Sequence, residues 1–139
     1  MNKSRFDLIK TILITFLFAG FSSETNAKLP TTIIKSCYDG DTCTTIYGEK
    51  IRLACIDTPE LKGKKADPIP AKKARDFLNN LVTNKKVSIR RISTDRYGRT
   101  VAEIFLNEEN IQKEIVNNGF GVIYEKYANQ CLWSKESKI

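Results

Sequence analysis

Short β-patterned runs and two longer helical runs divide the chain. Thr31 to Cys37, Thr42 to Tyr47 and Lys50 to Ile56 are short, contain β-branched residues and lack Pro and Gly, as strands require. Gly48-Glu49 separates the second from the third and reads as a hairpin turn. Lys85 to Ser93 and Thr100 to Leu106 form a further pair across the turn Asp95 to Arg99. Between these groups Ala74, Phe77, Leu78, Leu81 and Val82 recur at helical spacing. That spacing predicts a core-facing helix from about Ala71 to Val82, started by Pro70. A second helix is predicted from about Glu108 to Asn118, with Ile111, Ile115 and Val116 inward, Asn107 as N-cap and Gly119 as stop. Leu61 to Pro70 carries Gly63, Pro68, Pro70, Lys62, Lys64 and Lys65, the composition of a mobile basic loop. Five strands and two helices predict a small closed sheet with helices packed on it.

The N-terminus follows another pattern. Lys3, Arg5 and Lys10 precede an apolar run, Thr11 to Phe21, and a polar patch then ends in Ala27. This is the order of a secretory signal peptide, with cleavage expected after Ala27 and small residues at Thr25 and Ala27. The run is short for a permanent span. An uncleaved anchor or a buried helix is the other reading of it. The expected organisation is a signal peptide over 1–27 and one domain over 28–139, exported to the periplasm or beyond the cell, with no stable membrane anchor after cleavage.

Charge and cysteines fit that picture. Removing residues 1–27 takes away three basic and two acidic side chains and leaves 20 and 14, a net charge of +6. Such an excess suits a polyanionic partner, a nucleic acid or an anionic surface. The remaining length allows one modest core, and a monomer is expected. Cys37, Cys43, Cys55 and Cys131 all follow the leader, and an even number in an oxidising compartment points to two disulfides. Three pairings are possible. Cys37 with Cys43 would flank the Asp39-Gly-Asp bend, and Cys55 with Cys131 would tie the tail to a central strand, so these pairs are expected. The chain has no histidine and no C-x-x-C, which weighs against a zinc site and excludes an imidazole base.

Candidate chemistry collects at strand ends. Arg52-Leu-Ala-Cys-Ile-Asp-Thr-Pro-Glu60 reads as a strand stopped by Pro59. Proline has no N–H and holds Thr58 extended, so Asp57 and Glu60 sit on a stiff turn. In Tyr38-Asp-Gly-Asp-Thr42, Gly40 permits a tight bend between Asp39 and Asp41. Thr94 to Thr100 carries Arg96, Tyr97 and Arg99 on a further turn. Taken singly, each motif also reads as an ordinary surface turn. Taken together they supply four carboxylates and a set of arginines. Oxygen-only ligands favour Ca²⁺ or Mg²⁺, and such a cluster repels itself unless a cation or protons neutralise it.

In order and spacing, the three motifs resemble those of the thermonuclease (staphylococcal nuclease-like) family over roughly residues 32 to 127. The resemblance implies an α+β fold, a five-stranded OB-type β-barrel with two flanking helices. The family's third, C-terminal helix is expected to be truncated, since only Leu132 to Ile139 follow Cys131. It implies Ca²⁺ held by the side chains of Asp41 and Asp57 and the carbonyl of Thr58, with Asp39 in the outer shell. Glu60 would orient or deprotonate the attacking water, and Arg52 and Arg99 would grip the scissile phosphate. Arg96 and Tyr97 are placed with substrate, and Tyr124, then Tyr127, would stack on a base or merely pack on the barrel. The implied activity is that of a secreted Ca²⁺-dependent endonuclease cutting DNA or RNA to leave 3′-phosphates. Two rivals remain: a non-catalytic OB-type nucleic-acid-binding module of the cell envelope, and an envelope protein that binds anionic polymers.

Overall fold

The computed structural model describes residues 27–136; the leader, Ala27 apart, lies outside the described residues. In chain order it contains β1 (Thr31–Cys37), β2 (Thr42–Thr45), β3 (Lys50–Leu53), β4 (Ile56–Asp57), α1 (Pro68–Val82), β5 (Lys86–Thr94) and β6 (Thr100–Leu106). Then come β7 (Glu109–Asn110), α2 (Ile111–Asn117), β8 (Val122–Ile123), a 3-10 helix (Glu125–Gln130) and α3 (Trp133–Glu136). Strands β3, β2, β1, β5 and β6 pair in that order, and a parallel pairing of β3 with β6 joins the two ends. The result is the closed five-stranded barrel with flanking helices that the sequence led us to expect. Ile34, Ile51, Leu53, Val87, Ile89, Ala102 and Ile104 fill its interior, because alternate strand positions face inward. Leu78 and Val82 of α1, with Ile111 and Ile115 of α2, complete the core.

Closure of the barrel decides where the motifs meet. Thr42 pairs with Arg52 across β2 and β3, and Arg52 pairs with Val101 across β3 and β6. One β3 position therefore adjoins both the Asp39–Thr42 bend and the strand that follows Arg99.

Several local expectations need correction. The strand expected over Lys50 to Ile56 is two strands. Ala54 and Cys55 form a turn between them, with Cys55 left-handed at φ 67°. A non-glycine residue there costs about 1–2 kcal/mol. The Cys55–Cys131 disulfide holds the turn, and the Tyr124 N–H donates to the Cys55 carbonyl at 2.9 Å. Beyond the turn β4 leaves the barrel and pairs with β8.

Helix α1 starts at Pro68 rather than Ala71. Pro68 and Pro70 both lie in its first turn, where N–H groups have no intrahelical partner to lose. The N-cap of α2 is Asn110, not Asn107, and it accepts the Lys113 N–H at 3.0 Å. Asn107 and Glu108 both have positive φ (49° and 69°) and make the turn between β6 and β7. Among the described residues the third helix is a single turn following the 3-10 segment. Cys37–Cys43 is the second bonded pair, and it links directly paired residues of β1 and β2.

Candidate active site

The carboxylate side is built on the bend between β1 and β2. At the end of β1 the Asn79 side chain of α1 accepts the Cys37 N–H (2.8 Å) and donates to the Cys37 carbonyl (2.9 Å). The Tyr38 N–H then closes the bend on the Thr42 carbonyl at 2.8 Å. Gly40 packs so tightly that a Cβ would stand 2.7 Å from Ala74 Cβ and 2.9 Å from Thr58 Cβ. Inside the bend Asp39 Oδ1 accepts the Asp41 N–H at 3.1 Å. The buried Asp41 carboxylate accepts the hydroxyls of Thr58 (3.0 Å) and Thr42 (3.2 Å). Thr58 is boxed from its other side, where a Cβ on Gly121 would lie 2.9 Å from Thr58 Cγ2.

Arg52 links this side to the next. Its Nη1 donates to the Leu53 carbonyl (2.6 Å) and its Nη2 to the Ile56 carbonyl (3.0 Å), so the guanidinium spans the Ala54–Cys55 turn. The same Nη2 lies 3.1 Å from Asp41 Oδ2 and 3.7 Å from Asp57 Oδ1. Two carboxylates thus converge on one point. Burial pushes the Asp41 carboxyl up to about 7; Arg52 opposes the shift, and the neighbouring charge of Asp39 adds to it.

A hard divalent cation fits the chemistry of this donor set. The donors are oxygens only, and a buried carboxylate beside a second acid gains from added positive charge. The set is sparse: among the described residues no three acidic or cysteine side chains form a ready cage. A cation held by Asp41 and Asp57 would complete its coordination with backbone carbonyls and water.

The opposite side is a cavity of about 590 Å³ whose lining includes Arg52, Arg96, Tyr97, Arg99, Tyr124 and Tyr127. The turn before β6 is organised by Asp95. Its Oδ1 accepts the N–H groups of Tyr97 (2.9 Å) and Arg99 (3.0 Å), and its Oδ2 pairs with Arg99 Nε at 2.7 Å. Burial alone would raise the Asp95 carboxyl; these donors outweigh it and hold the group below its usual range. Arg96 donates to the Tyr97 hydroxyl at 2.6 Å, and Arg99 lies over the Tyr97 ring, 5.4 Å from its centre. Tyr124 and Tyr127 meet edge to face with ring centres 5.2 Å apart. Both remain about 40% exposed, so their rings are available to a ligand.

The structure therefore gathers Asp39, Asp41, Asp57, Thr58 and Arg52 in one cluster. It gathers Arg52, Arg96, Tyr97, Arg99, Tyr124 and Tyr127 around one cavity. Glu60 joins neither group; it is exposed just beyond Pro59, with its carbonyl accepting the Asp67 N–H at 2.9 Å. That bond closes the base of the basic loop. Thr42 was missed by the reading of the sequence, yet its Oγ1 also takes Arg99 Nη1 at 3.4 Å. Its place beside Asp41, opposite Arg52, was the available signal. Lys126 and Gln130 of the cavity wall carried none.

Comparison with known proteins bears on the family of this barrel. A family model described as staphylococcal nuclease homologue matches residues 50–138, which include the Arg52–Glu60 and Asp95–Arg99 motifs. An uncharacterized endonuclease of Haemophilus influenzae is 32% identical over 130 residues, covering 89% of this chain and 70% of that protein. A probable staphylococcal-like nuclease of Oryza sativa subsp. japonica is 32% identical over 109 residues, 76% of this chain but 27% of its own length. A staphylococcal-like nuclease of Arabidopsis thaliana is 33% identical over 93 residues, again 27% of its own length. The chain thus spans about a quarter of the plant relatives and most of the bacterial one. With its barrel, its paired motifs and these matches, the chain belongs to the staphylococcal nuclease homologue family.

Proposed function

We propose that the protein is a Ca²⁺-dependent endonuclease that hydrolyses phosphodiester bonds of DNA or RNA and leaves 3′-phosphates. The observation that carries this reading is the position of Arg52, which touches Asp41 and approaches Asp57 on one side and lines the cavity with Arg99 on the other. A phosphate between the two guanidiniums would meet forked donors suited to its oxygens. Asp41 and Asp57, with the Thr58 carbonyl, would hold the metal, and Asp39 would support them from behind. Bound there, Ca²⁺ would supply Lewis-acid polarisation of a phosphoryl oxygen.

The remaining roles belong to the chain's own groups. Glu60, exposed beyond Pro59, would orient the attacking water and take its proton on a carboxylate oxygen. Arg52 and Arg99 would bind the phosphate and offset the charge that grows on it. Tyr97 and Arg96 would contact the flanking backbone, and Tyr124 and Tyr127 would stack on a base. The exposed Lys62, Lys64 and Lys65 beside Glu60 add positive potential for a polyanion.

Export belongs to the same reading. Two disulfides suit an oxidising compartment, and no helix among the described residues is long and apolar enough to cross a membrane. Mass spectrometry of periplasmic or secreted material should find a mature start at Lys28. An intact Met1 in a cytosolic pool would contradict export. For the activity itself, oxidised monomeric protein should nick a plasmid with Ca²⁺ and not with a chelator. Its products should block polymerase extension until a phosphatase removes the 3′-phosphate. Tight binding without cleavage would favour the non-catalytic module instead.

A further inference from the structure

The 3-10 helix Glu125–Gln130 contributes Lys126, Tyr127 and Gln130 to the cavity, directly after Tyr124. So short a segment of weak 3-10 bonds does not fix its own position. Its start hangs on the Cys55 carbonyl through the Tyr124 N–H, and Cys131, just past its end, is bonded to the same Cys55. Both of those ties reach one point, the Ala54–Cys55 turn. The segment is held further by the β4–β8 pairing just before it and by the Ser134 hydroxyl, which donates to the Ala128 carbonyl at 2.6 Å.

A further tie comes from the barrel strands. Arg90 of β5 donates through Nη2 to the Gln130 carbonyl at 2.8 Å. Arg90 is itself paired across the strands with Glu103 of β6. Glu103 is only 4% exposed, and its other oxygen accepts Asn110 Nδ2 at 3.2 Å. Asn110 caps α2 with its remaining oxygen. Burying a carboxylate is expensive unless it is paired and hydrogen-bonded. Here that buried acid holds a guanidinium in a single orientation, and the guanidinium's spare N–H fixes the end of the cavity wall.

We propose that Arg90 and Glu103 are positioning residues for the tyrosine-bearing wall, setting affinity for the nucleic-acid strand without taking part in bond cleavage. This rests on the reading of the cavity as a nucleic-acid site. Arg90 acts through the Gln130 carbonyl on Tyr124 and Tyr127, while the arginine–carboxylate cluster around Arg52 is built on other bonds.

The test measures binding of a fluorescein-labelled oligothymidylate in chelator, and steady-state cleavage of the same oligonucleotide with Ca²⁺. In R90M, Kd and KM should rise about tenfold, the order of one lost base stack, with kcat within about twofold. R90K keeps the charge without the fork and should show an intermediate rise of about threefold; it also serves if R90M does not fold. In a Y124A/Y127A background, R90M should add little further loss, because the wall it positions has lost its rings. Additive losses, unchanged Kd and KM, or a fall in kcat alone would overturn the positioning role. Wild-type protein that neither binds nor cuts the oligonucleotide would sink the nuclease reading and this one together. Active wild type with an unaffected R90K and R90M would sink only this one.

Discussion

Arg52 Nη2 lies 3.1 Å from Asp41 Oδ2, and this contact joins the acidic and the basic halves of the site. It exists because β3 is the seam of the barrel. Arg52 has Thr42 as its partner on one side and Val101 on the other, so three motifs far apart in the chain meet at one residue.

The Asp41 carboxyl gives the site a pH dependence. Its folded value, about 7, is above the ordinary 3.8 because burial disfavours the charge. Between those values the unfolded chain has released a proton that the folded chain retains. The contribution of Asp41 to the stability of the metal-free protein should therefore be fully present below about pH 4 and be lost as pH rises through about 7. Urea unfolding in chelator across that range checks the slope. Asp41→Asn should flatten it, and Ca²⁺, which favours the ionised carboxylate, should oppose it. A slope of the opposite sign, or one unchanged in Asp41→Asn, would contradict the account.

Much of the fold was legible because its signals are local. The strand runs, the helical face Ala74–Leu78–Val82 and the three motifs all lie in short windows of sequence. The turn at Cys55 was not, since a left-handed cysteine is set by partners far along the chain, Tyr124 and Cys131. Asn107 was mistaken for a cap because Asn suits both caps and positive-φ turns. The pairing of Arg52 with Val101 is likewise non-local, so the two halves of the site were identified without the geometry that joins them. Glu60 was legible as a residue and its exposure was not.

Gly40 separates packing from backbone freedom. Its substitution by Ala places a Cβ 2.7 Å from Ala74 Cβ, an overpacking expected to cost about 1–3 kcal/mol. Gly48→Ala meets no atom within 4 Å and faces only the strain of φ +83°, about 1 kcal/mol. Urea unfolding of both, with Ca²⁺ binding by calorimetry, should show that Gly40→Ala alone also weakens the metal site. Equal affinity in the two variants would separate Gly40 from the carboxylate bend.

The two disulfides should differ in weight. Cys55–Cys131 closes a loop 76 residues apart in sequence and Cys37–Cys43 one of 6. Loop-closure entropy assigns about 4 kcal/mol to the first and about 2 kcal/mol to the second. Paired Cys→Ser replacements, compared by thermal and urea unfolding, should keep that order. The Cys55/Cys131 replacement should also release the tyrosine wall and raise KM. A larger stability loss from the short loop would contradict this assignment.

Hydrolysis by the two-sided site would be read out by steady-state DNA cleavage across a Ca²⁺ titration. Arg99→Ala removes a guanidinium aimed by Asp95, and one such contact to developing charge is worth about 3–4 kcal/mol, roughly a hundred- to thousandfold in kcat. Glu60→Gln keeps the shape of an exposed side chain and removes its basicity, so kcat should fall with unfolding behaviour unchanged. Asp41→Ala should instead shift the Ca²⁺ dependence and recover part of its rate at high Ca²⁺. Near wild-type kcat in folded Arg99→Ala and Glu60→Gln proteins would contradict the account, and leave the site as a nucleic-acid-binding surface only.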